Sequence, residues 1–535
     1  MGSAARDRES GIPESGFTPP HPRCSMLAPL PAQAVPGFAM ASAAHAPQTR
    51  KHKQAGLAHW MARVLKECHR VAQDFDADTV HDLRVALRRC RTISDEFQNL
   101  DPDPAWRKMK KASKKLFRTL GALRDNQVMQ EWVKKLSGED DALRQKLLDS
   151  LAAEEQRARS DVERALDHFD QKAWRKWSRS LPEHTRKVPR EGLAFQHLAL
   201  KRWNDAHELH RRALRTRSGV AWHRLRIGLK QFRYTVENFL PKRYDKWGEG
   251  LKRFQDLLGE VHDLDVLWAG VRKASAGGDA SVRARWKEAI DNERRTRLAE
   301  YTSRTRGPDS LWLVWRAGLP EGKRVEAAAI AKLAAFASFR DPDVAHSQRV
   351  RALALELFSG FQKAGLNSLF REARERRILD CAALLHDVGR SKRSSGHHKL
   401  SYRIIRDLPA PLGWTGEDML WTALVARYHR GAEPHGTHQG FGALSPVEQQ
   451  RIAWLAAVLR LADSLDGEHN GRVLHVKVET TREALLIRAQ GYNEEMALTA
   501  EVAEKKHLLE TLCGKPVILR PDEIQPEAAS ASLAS

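Results

Sequence analysis

From residue 55 to about 305, apolar positions recur at three- and four-residue spacing almost without interruption, the period of amphipathic α-helices. Candidate helices run near 55–73, 79–99, 104–136, 140–168, 190–215, 218–240, 246–272 and 280–304. Helices of that length with short polar connections predict a tandem repeat of antiparallel four-helix bundles over 51–305. Gly and Pro interrupt the period at 302–322, TSRTRGPDSLWLVWRAGLPEG, and 306–322 reads as a linker. Helical period resumes near 324 and continues to about 470, giving a second α-helical domain over 323–470. From 472 the pattern changes again. VLHVKVE and ALLIRA read as strands, EEMALTAEVAEKKHLLETL as a helix and PVILR as a last strand, a small α+β extension over 471–522. Residues 1–50, rich in Pro, Ala, Ser and Gly, and 523–535 carry no period and are expected to be disordered. The fold class expected is therefore mainly α.

The polar positions inside the helical region are not a random solvated face. In HDLRVALRRCRT, residues 81–92, His81, Arg84, Arg88 and Arg91 fall at 3-4-3 spacing along one side of a helix. Leu83, Leu87, Cys90 and Phe97 form an apolar stripe roughly 120° away, at about 100° per residue. The construction returns in HRLRIGLKQFRY, residues 223–234, as His223, Arg226, Lys230 and Arg233 beside Leu225, Leu229, Phe232, Val236 and Phe239. Downstream, Gly121, Arg124, Asp125 and Val128 are echoed by Gly259, His262, Asp263 and Val266. Two copies of one helical unit follow, about 140 residues apart. A solvated face normally mixes signs, whereas both stripes carry only His, Arg and Lys, so they predict an anion-binding groove.

Charge sharpens that expectation. The chain has a net charge of +22, and between 51 and 320 it holds 57 Lys plus Arg against 38 Asp plus Glu, while from 321 onward the balance is 29 against 27. The excess sits on the repeat and would attract nucleic acid, an anionic membrane surface or inorganic polyphosphate. No aromatic residues interleave with the cations on the basic faces, and no helix-turn-helix, zinc-finger or RNA-recognition pattern is present, so nucleic acid is disfavoured. No apolar run approaches a membrane span. Five scattered cysteines, without paired or metal-finger spacing, suit a reducing compartment, and the chain is expected to be cytoplasmic.

The HxxRxxxRRxR stripe, its second copy at His223 and the repeated G-x-x-(R/H)-D-x-x-V segment resemble the CHAD domain, a histidine-containing α-helical domain associated with inorganic polyphosphate. The resemblance implies that His81, Arg84, Arg88, Arg91, His223, Arg226, Lys230 and Arg233 contact phosphates, with Lys108, Lys111, Lys115, Arg118 and Arg253 as further candidates. Arginine offers phosphate a fork of donors and lysine a mobile point charge. Successive helical turns, about 5.4 Å apart, suit successive parts of a linear polyanion.

A second constellation lies in the other helical region: His346 in VAHSQRV, His386-Asp387 in AALLHDVGR and Asp463 in LRLADSLD. Their flanks are strongly apolar, and polar ligands among core helices need a partner that a divalent cation supplies. The set resembles the HD-domain phosphohydrolases. The surrounding AHSQRV, ALLHDVG, SGHHKLSYRIIRD, LVARYHRG and LRLADSLD look like the C-terminal helical domain of the exopolyphosphatase and guanosine pentaphosphate phosphohydrolase family, over about 323–520. That resemblance implies a divalent metal ion, Mn²⁺, Mg²⁺ or Fe²⁺, held by His346, His386, Asp387 and Asp463. It also implies a second-ion pair, His398 and His429, bridged by Asp387, with His397 as an alternative. Asp387, Arg390, Lys399 and Arg430 are the candidate catalytic residues, and Lys392 and Arg427 lie in the same segments. The actin-like module that carries that family's chemistry is absent from this sequence. No GYP motif follows His429, which disfavours cyclic dinucleotides.

Together these features predict a polyphosphate-binding protein with an HD-type, metal-dependent phosphohydrolase domain. The alternatives are a non-enzymatic scaffold associated with polyphosphate granules, and a hydrolase of guanosine tetra- or pentaphosphate localised by the basic domain.

Overall fold

The computed structural model describes residues 56–276, 278–493 and 500–522. The segments 1–50 and 523–535, expected to be disordered, lie outside the described residues. The repeat is helical throughout, with α1 (Leu57–Gln73), α2 (Ala77–Leu100), α3 (Pro104–Ala112), α4 (Lys114–Leu136), α5 (Ala142–Asp167), α6 (Gln171–Arg186), α7 (Leu193–Thr216), α8 (Gly219–Phe239), α9 (Pro241–Ala274) and α10 (Ala280–Ser303). Side-chain caps set many of the starts: Asp76 accepts from Asp78 N and Thr79 N before α2, and Ser218 from Ala221 N before α8. In the first copy α1 packs on α2 and α4 on α5; in the second α7 packs on α8 and α9 on α10. The apolar stripes read from the sequence, Leu83, Leu87, Cys90 and Phe97 with Leu225, Leu229, Phe232, Val236 and Phe239, are all buried in one shared core.

Three boundaries differ from expectation. A single helix over 104–136 is interrupted at buried Ser113, where the Arg91 guanidinium donates to Lys110 O at 2.7 Å and Ser113 Oγ at 3.0 Å. The gap at 168–190 contains α6, whose apolar positions Trp174 and Leu181 were masked by basic neighbours and by Pro182 in its last turns. The linker 306–322 contains α11 (Leu311–Ala317), and Trp312 and Trp315 are buried in the bundle core with Leu319. It is a packed element rather than a tether.

The second helical region comprises α12 (Lys323–Ala337), α13 (Val344–Lys363), α14 (Ala373–Leu385), α15 (His397–Arg406), α16 (Gly416–Arg427) and α17 (Pro446–Ser464). The extension adds β1 (Val476–Thr480), β2 (Leu485–Ala489), α18 (Ala500–Cys513) and β3 (Val517–Pro521). Strand order is β1-β2-β3, with β1 antiparallel and β3 parallel to β2. Here α13 packs on β1 and α18 on α17. The two regions are joined by more than the chain: α12 packs on α7, Arg340 donates to Leu100 O, and Leu412 N donates to His197 Nε2 at 3.0 Å.

One buried carboxylate underlies the bundle seam. Glu237 on α8 receives Arg89 of α2 at 2.5 Å, and Arg233 stands 4.0 Å away. Burial alone would raise the Glu237 carboxyl, but Arg89, Arg88 and Arg233 outweigh it and hold it below its ordinary 4.5. Its stabilisation is thus fully present above about pH 4.5 and is lost as the pH falls through the depressed value. Glu237→Gln would leave buried cations without a counter-charge, and urea denaturation at pH 7 should show a loss of about 3–5 kcal/mol. An unchanged midpoint would mean that the seam does not rest on this carboxylate.

Candidate functional site

The two basic stripes meet. α2 packs against α8, and the Lys230 ammonium is pushed down to about 8 by burial and by Arg226, Arg84 and Arg88. Burial, with Arg88 and Arg124 beside it, lowers Arg84 as well, against the opposing pull of Asp125. The Arg88 guanidinium lies 4.8 Å from the Tyr234 ring centroid, and Lys230 5.7 Å from the same ring. At one end of the groove His223 on α8 approaches His262 on α9, with Nδ1 atoms 3.4 Å apart. Burial raises Asp263 to about 6, against Arg226. Among the described residues, none of Arg84, Arg88, Arg226 and Lys230 has a carboxylate within 4.0 Å. His81 is half-buried on α2. Lys108, Lys111, Lys115 and Arg118 stand exposed on α3 and α4.

Three predicted phosphate contacts are engaged elsewhere. Arg91 closes the end of α3 through Lys110 O and Ser113 Oγ. Arg233 is buried against Glu237 and donates to the Tyr244 hydroxyl at 3.4 Å. Arg253 clasps Glu300 of α10 with both ends of its fork. Helical spacing put Arg91 and Arg233 on the stripe but did not reveal the acceptors that neighbouring helices bring to them.

In the second region, four apolar helices converge on a buried cluster. Asp343 caps α13 and places His346 in its first turn. His346 Nδ1 donates to Asp466 Oδ2 at 2.8 Å, and its Nε2 lies 3.3 Å from Asp463 Oδ1. His386 ends α14 and donates from Nδ1 to Ala383 O at 2.7 Å. That leaves a fully buried Nε2 with no hydrogen-bond partner, 3.8 Å from Asp387 Oδ2 and 3.7 Å from Asp463 Oδ1. Gly389 N donates to Ser401 Oγ at 2.9 Å, and a Cβ on Gly389 would stand 2.4 Å from His397 O. Only glycine lets the start of α15 come so close to the His-Asp turn.

That close approach brings His397, the alternative to His398, beside His429. His397 Nε2 lies 3.0 Å from Asp387 Oδ1 and 3.1 Å from His429 Nε2. Each of these rings donates its Nδ1 proton to a backbone carbonyl, His397 to Ser394 O and His429 to Ala426 O, both at 2.7 Å. Two Nε2 lone pairs then face one another, an arrangement that a shared proton or a cation relieves. The donor atoms of His346, His386 and Asp387 lie within 4.8 Å of one another, as do those of Asp387, His397 and His429. Imidazoles whose Nδ1 is fixed by a backbone carbonyl or by Asp466, carboxylates and an unpartnered Nε2 suit divalent ions, with Asp387 common to both groups.

Electrostatics agree with the geometry. Despite burial, Asp387 and Asp463 are held well below the usual carboxylate range, Asp387 by His386, His397 and His429 and Asp463 by Lys505 and His346. Burial would depress His346, but its bonds to Asp463 and Asp466 raise it to about 9. Arg390 donates to Asp387 Oδ2 at 2.8 Å. His398, pushed down to about 4 by burial and by His397, Lys399, Arg427 and Arg430, lines an adjoining cavity of about 710 Å³ with Arg430, Glu504 and Lys505.

Lys505 and Asp466 were not foreseen. The Lys505 ammonium, buried, donates to Asp463 Oδ2 at 2.8 Å and to His429 O at 3.0 Å. Its signal was a lysine on the same face of α18 as Val502 and Leu508–Leu509, all buried. Asp466 follows Asp463 by one helical turn and was read as part of the same motif without a role.

Residues 55–272 match the CHAD domain family, and residues 332–507 match the family described as Ppx/GppA phosphatase, domain III. The chain thus joins a CHAD-type region to a region of the exopolyphosphatase type. No curated protein matches it. Among solved structures, the crystal structure of the CHAD domain from the plant Ricinus communis is similar at 23% identity, covering 50% of this chain and 90% of that one, with a TM-score of 0.33. Among the described residues, no helix is long and apolar enough to cross a membrane.

If His346 is a metal ligand, its raised value makes metal affinity depend on pH. The ring must lose its proton to ligate, so Mn²⁺ affinity measured by calorimetry should rise about ten-fold per pH unit up to about pH 8.5 and level off near 9. A flat profile over that range would remove His346 from the ligand set.

Proposed function

We propose that this chain binds inorganic polyphosphate along the groove between its bundles and hydrolyses a phosphoanhydride at the buried His–Asp cluster. The carrying observation is that both places concentrate cations without matching carboxylates. Arg84, Arg88, Arg226 and Lys230 do so in the groove, and Lys399, Arg427 and Arg430 do so beside the cluster. The two family matches point to the same ligand class.

In the groove, guanidinium groups from both copies of the repeat face one another, so a linear polyanion is gripped from two sides. Tyr234 carries the cations of α2 and α8 on its ring and keeps their charged ends at the groove surface. At the cluster, His346, His386 and Asp387, with Asp463 beside them, would hold one divalent ion, and Asp387, His397 and His429 would hold another. Such ions lower the pKa of a bound water and polarise a phosphoryl oxygen. Asp466 fixes the His346 ring, Ala383 O and Ala426 O fix His386 and His429, and Lys505 holds Asp463 by its second oxygen. Arg390, beside Asp387, and Arg430, at the cavity wall, supply positive charge for phosphate oxygens.

Arg84→Ala with Arg226→Ala should weaken binding of long-chain polyphosphate at least ten-fold and flatten its salt dependence. Unchanged affinity would sink the groove assignment. Phosphate release from polyphosphate in Mn²⁺ or Mg²⁺ should be abolished in the His386→Ala/Asp387→Ala chain. If the intact protein binds metal yet releases nothing, the cluster acts on another substrate or on none.

A further inference from the structure

The cavity beside the His–Asp cluster has an annex. A second cavity of about 360 Å³ is bounded by His398, Lys399, Arg427, Tyr428, Gly431 and His438. It shares His398 and Gly431 with the main cavity, so the two adjoin at that wall. Gly431 has φ of +76°, and a Cβ there would stand 3.2 Å from His398 Nε2. Glycine therefore permits the turn and keeps the wall low.

The annex is cationic and has no acid to balance it. Among the described residues, none of Lys399, Arg427 and Arg430 has a carboxylate within 4.0 Å, and Arg427 spends one donor on Gln439 O at 3.3 Å. Its aromatic faces are already covered. Arg427 lies 5.4 Å from the Tyr402 ring centroid and 5.3 Å from that of Tyr428. His438 stacks on Tyr428 at 5.7 Å and bonds its hydroxyl at 3.0 Å. An anion would find a guanidinium, an ammonium and imidazoles.

We propose that the annex is a phosphate subsite that extends the reaction cavity by one step along a linear phosphoanhydride, so that the site selects chains of three or more phosphates over single phosphates. The proposal rests on reading the His–Asp cluster as a phosphoanhydride site. Lys399 and Arg427 bind the distal phosphate, while Arg430, at the main cavity, faces the phosphates nearer the cluster. Lys399 lines the annex and not the main cavity, so in this reading it is a binding residue rather than the catalytic residue expected from the sequence, and Arg427 binds beside it.

The test uses the full chain carrying Arg84→Ala and Arg226→Ala, so that the groove does not mask the cavity, with inorganic tripolyphosphate and orthophosphate as probes in Mg²⁺. Calorimetry should show Lys399→Gln and Arg427→Gln each weakening tripolyphosphate by roughly five-fold, the scale of a partly exposed ion pair, with orthophosphate unchanged. Lys399 is exposed, so its variant reports on the subsite even if loss of Arg427 disturbs the tyrosines beneath it. Equal losses for both probes, or none for either, would overturn the subsite. Phosphate release measured on the same samples separates the two readings: an intact split without turnover leaves the subsite and removes the hydrolase, and turnover without a split does the reverse.

Discussion

Glu237 makes the rest of the bundle architecture possible. Two copies of a helical unit, each with an all-cationic stripe, bring those stripes together, and like charges at such a seam repel strongly once water is displaced. Placing one carboxylate beneath Arg89 and Arg233 lets the deepest cations be neutralised from below. Arg84, Arg226 and Lys230, nearer the surface, keep their charge unpaired. Burial shifts Lys230 and Arg84 downward, a cost that an opposite charge beside them would offset. Paired and unpaired cations are therefore divided by depth along the same two helices.

The same division organises the second region with the signs exchanged. There four histidines and two carboxylates, Asp387 and Asp463, face one another, a donor set that in the proposed reading takes divalent cations. Backbone carbonyls and Asp466 hold the imidazole tautomers, and the close approach at Gly389 brings the start of α15 onto Asp387. Lys505 reaches in from the C-terminal extension to Asp463. The extension is thus part of the site's electrostatics and not only a cover for α17. With α12 seated on α7 and α11 buried in the bundle core, no free tether separates the two regions.

Much of this was legible in the sequence because it depends on period alone. The apolar stripes, the duplicated basic faces and the apolar flanks of His346, His386 and Asp463 each follow from positions within one helix. What could not be read depends on what a second element brings. Arg91, Arg233 and Arg253 sit among the cationic candidates, yet Ser113, Glu237 and Glu300 claim them. His397 and His398 are neighbours about 100° apart at a helix start, and only the packing of Gly389 against His397 O decides which one turns inward. Lys505 lies more than forty residues from its partner Asp463, on a helix whose face is otherwise ordinary core. In 306–322, Gly and Pro suggested a linker, whereas the packing of Trp312 and Trp315 outweighs a broken period.

The two anion-attracting surfaces differ in a way that suits different tasks on one polymer. In the proposed reading the half-buried cations on the long helices bind through a sum of many screened contacts that is not specific for chain length. The cavity and its annex are small and joined across a glycine turn, so they contact only a few phosphates. In the proposed reading, a polyphosphate held along the bundles by many weak contacts has a high local concentration at the second region. Recognition there can then be weak in affinity and still strict in geometry, because holding the polymer and positioning its end are done by different residues.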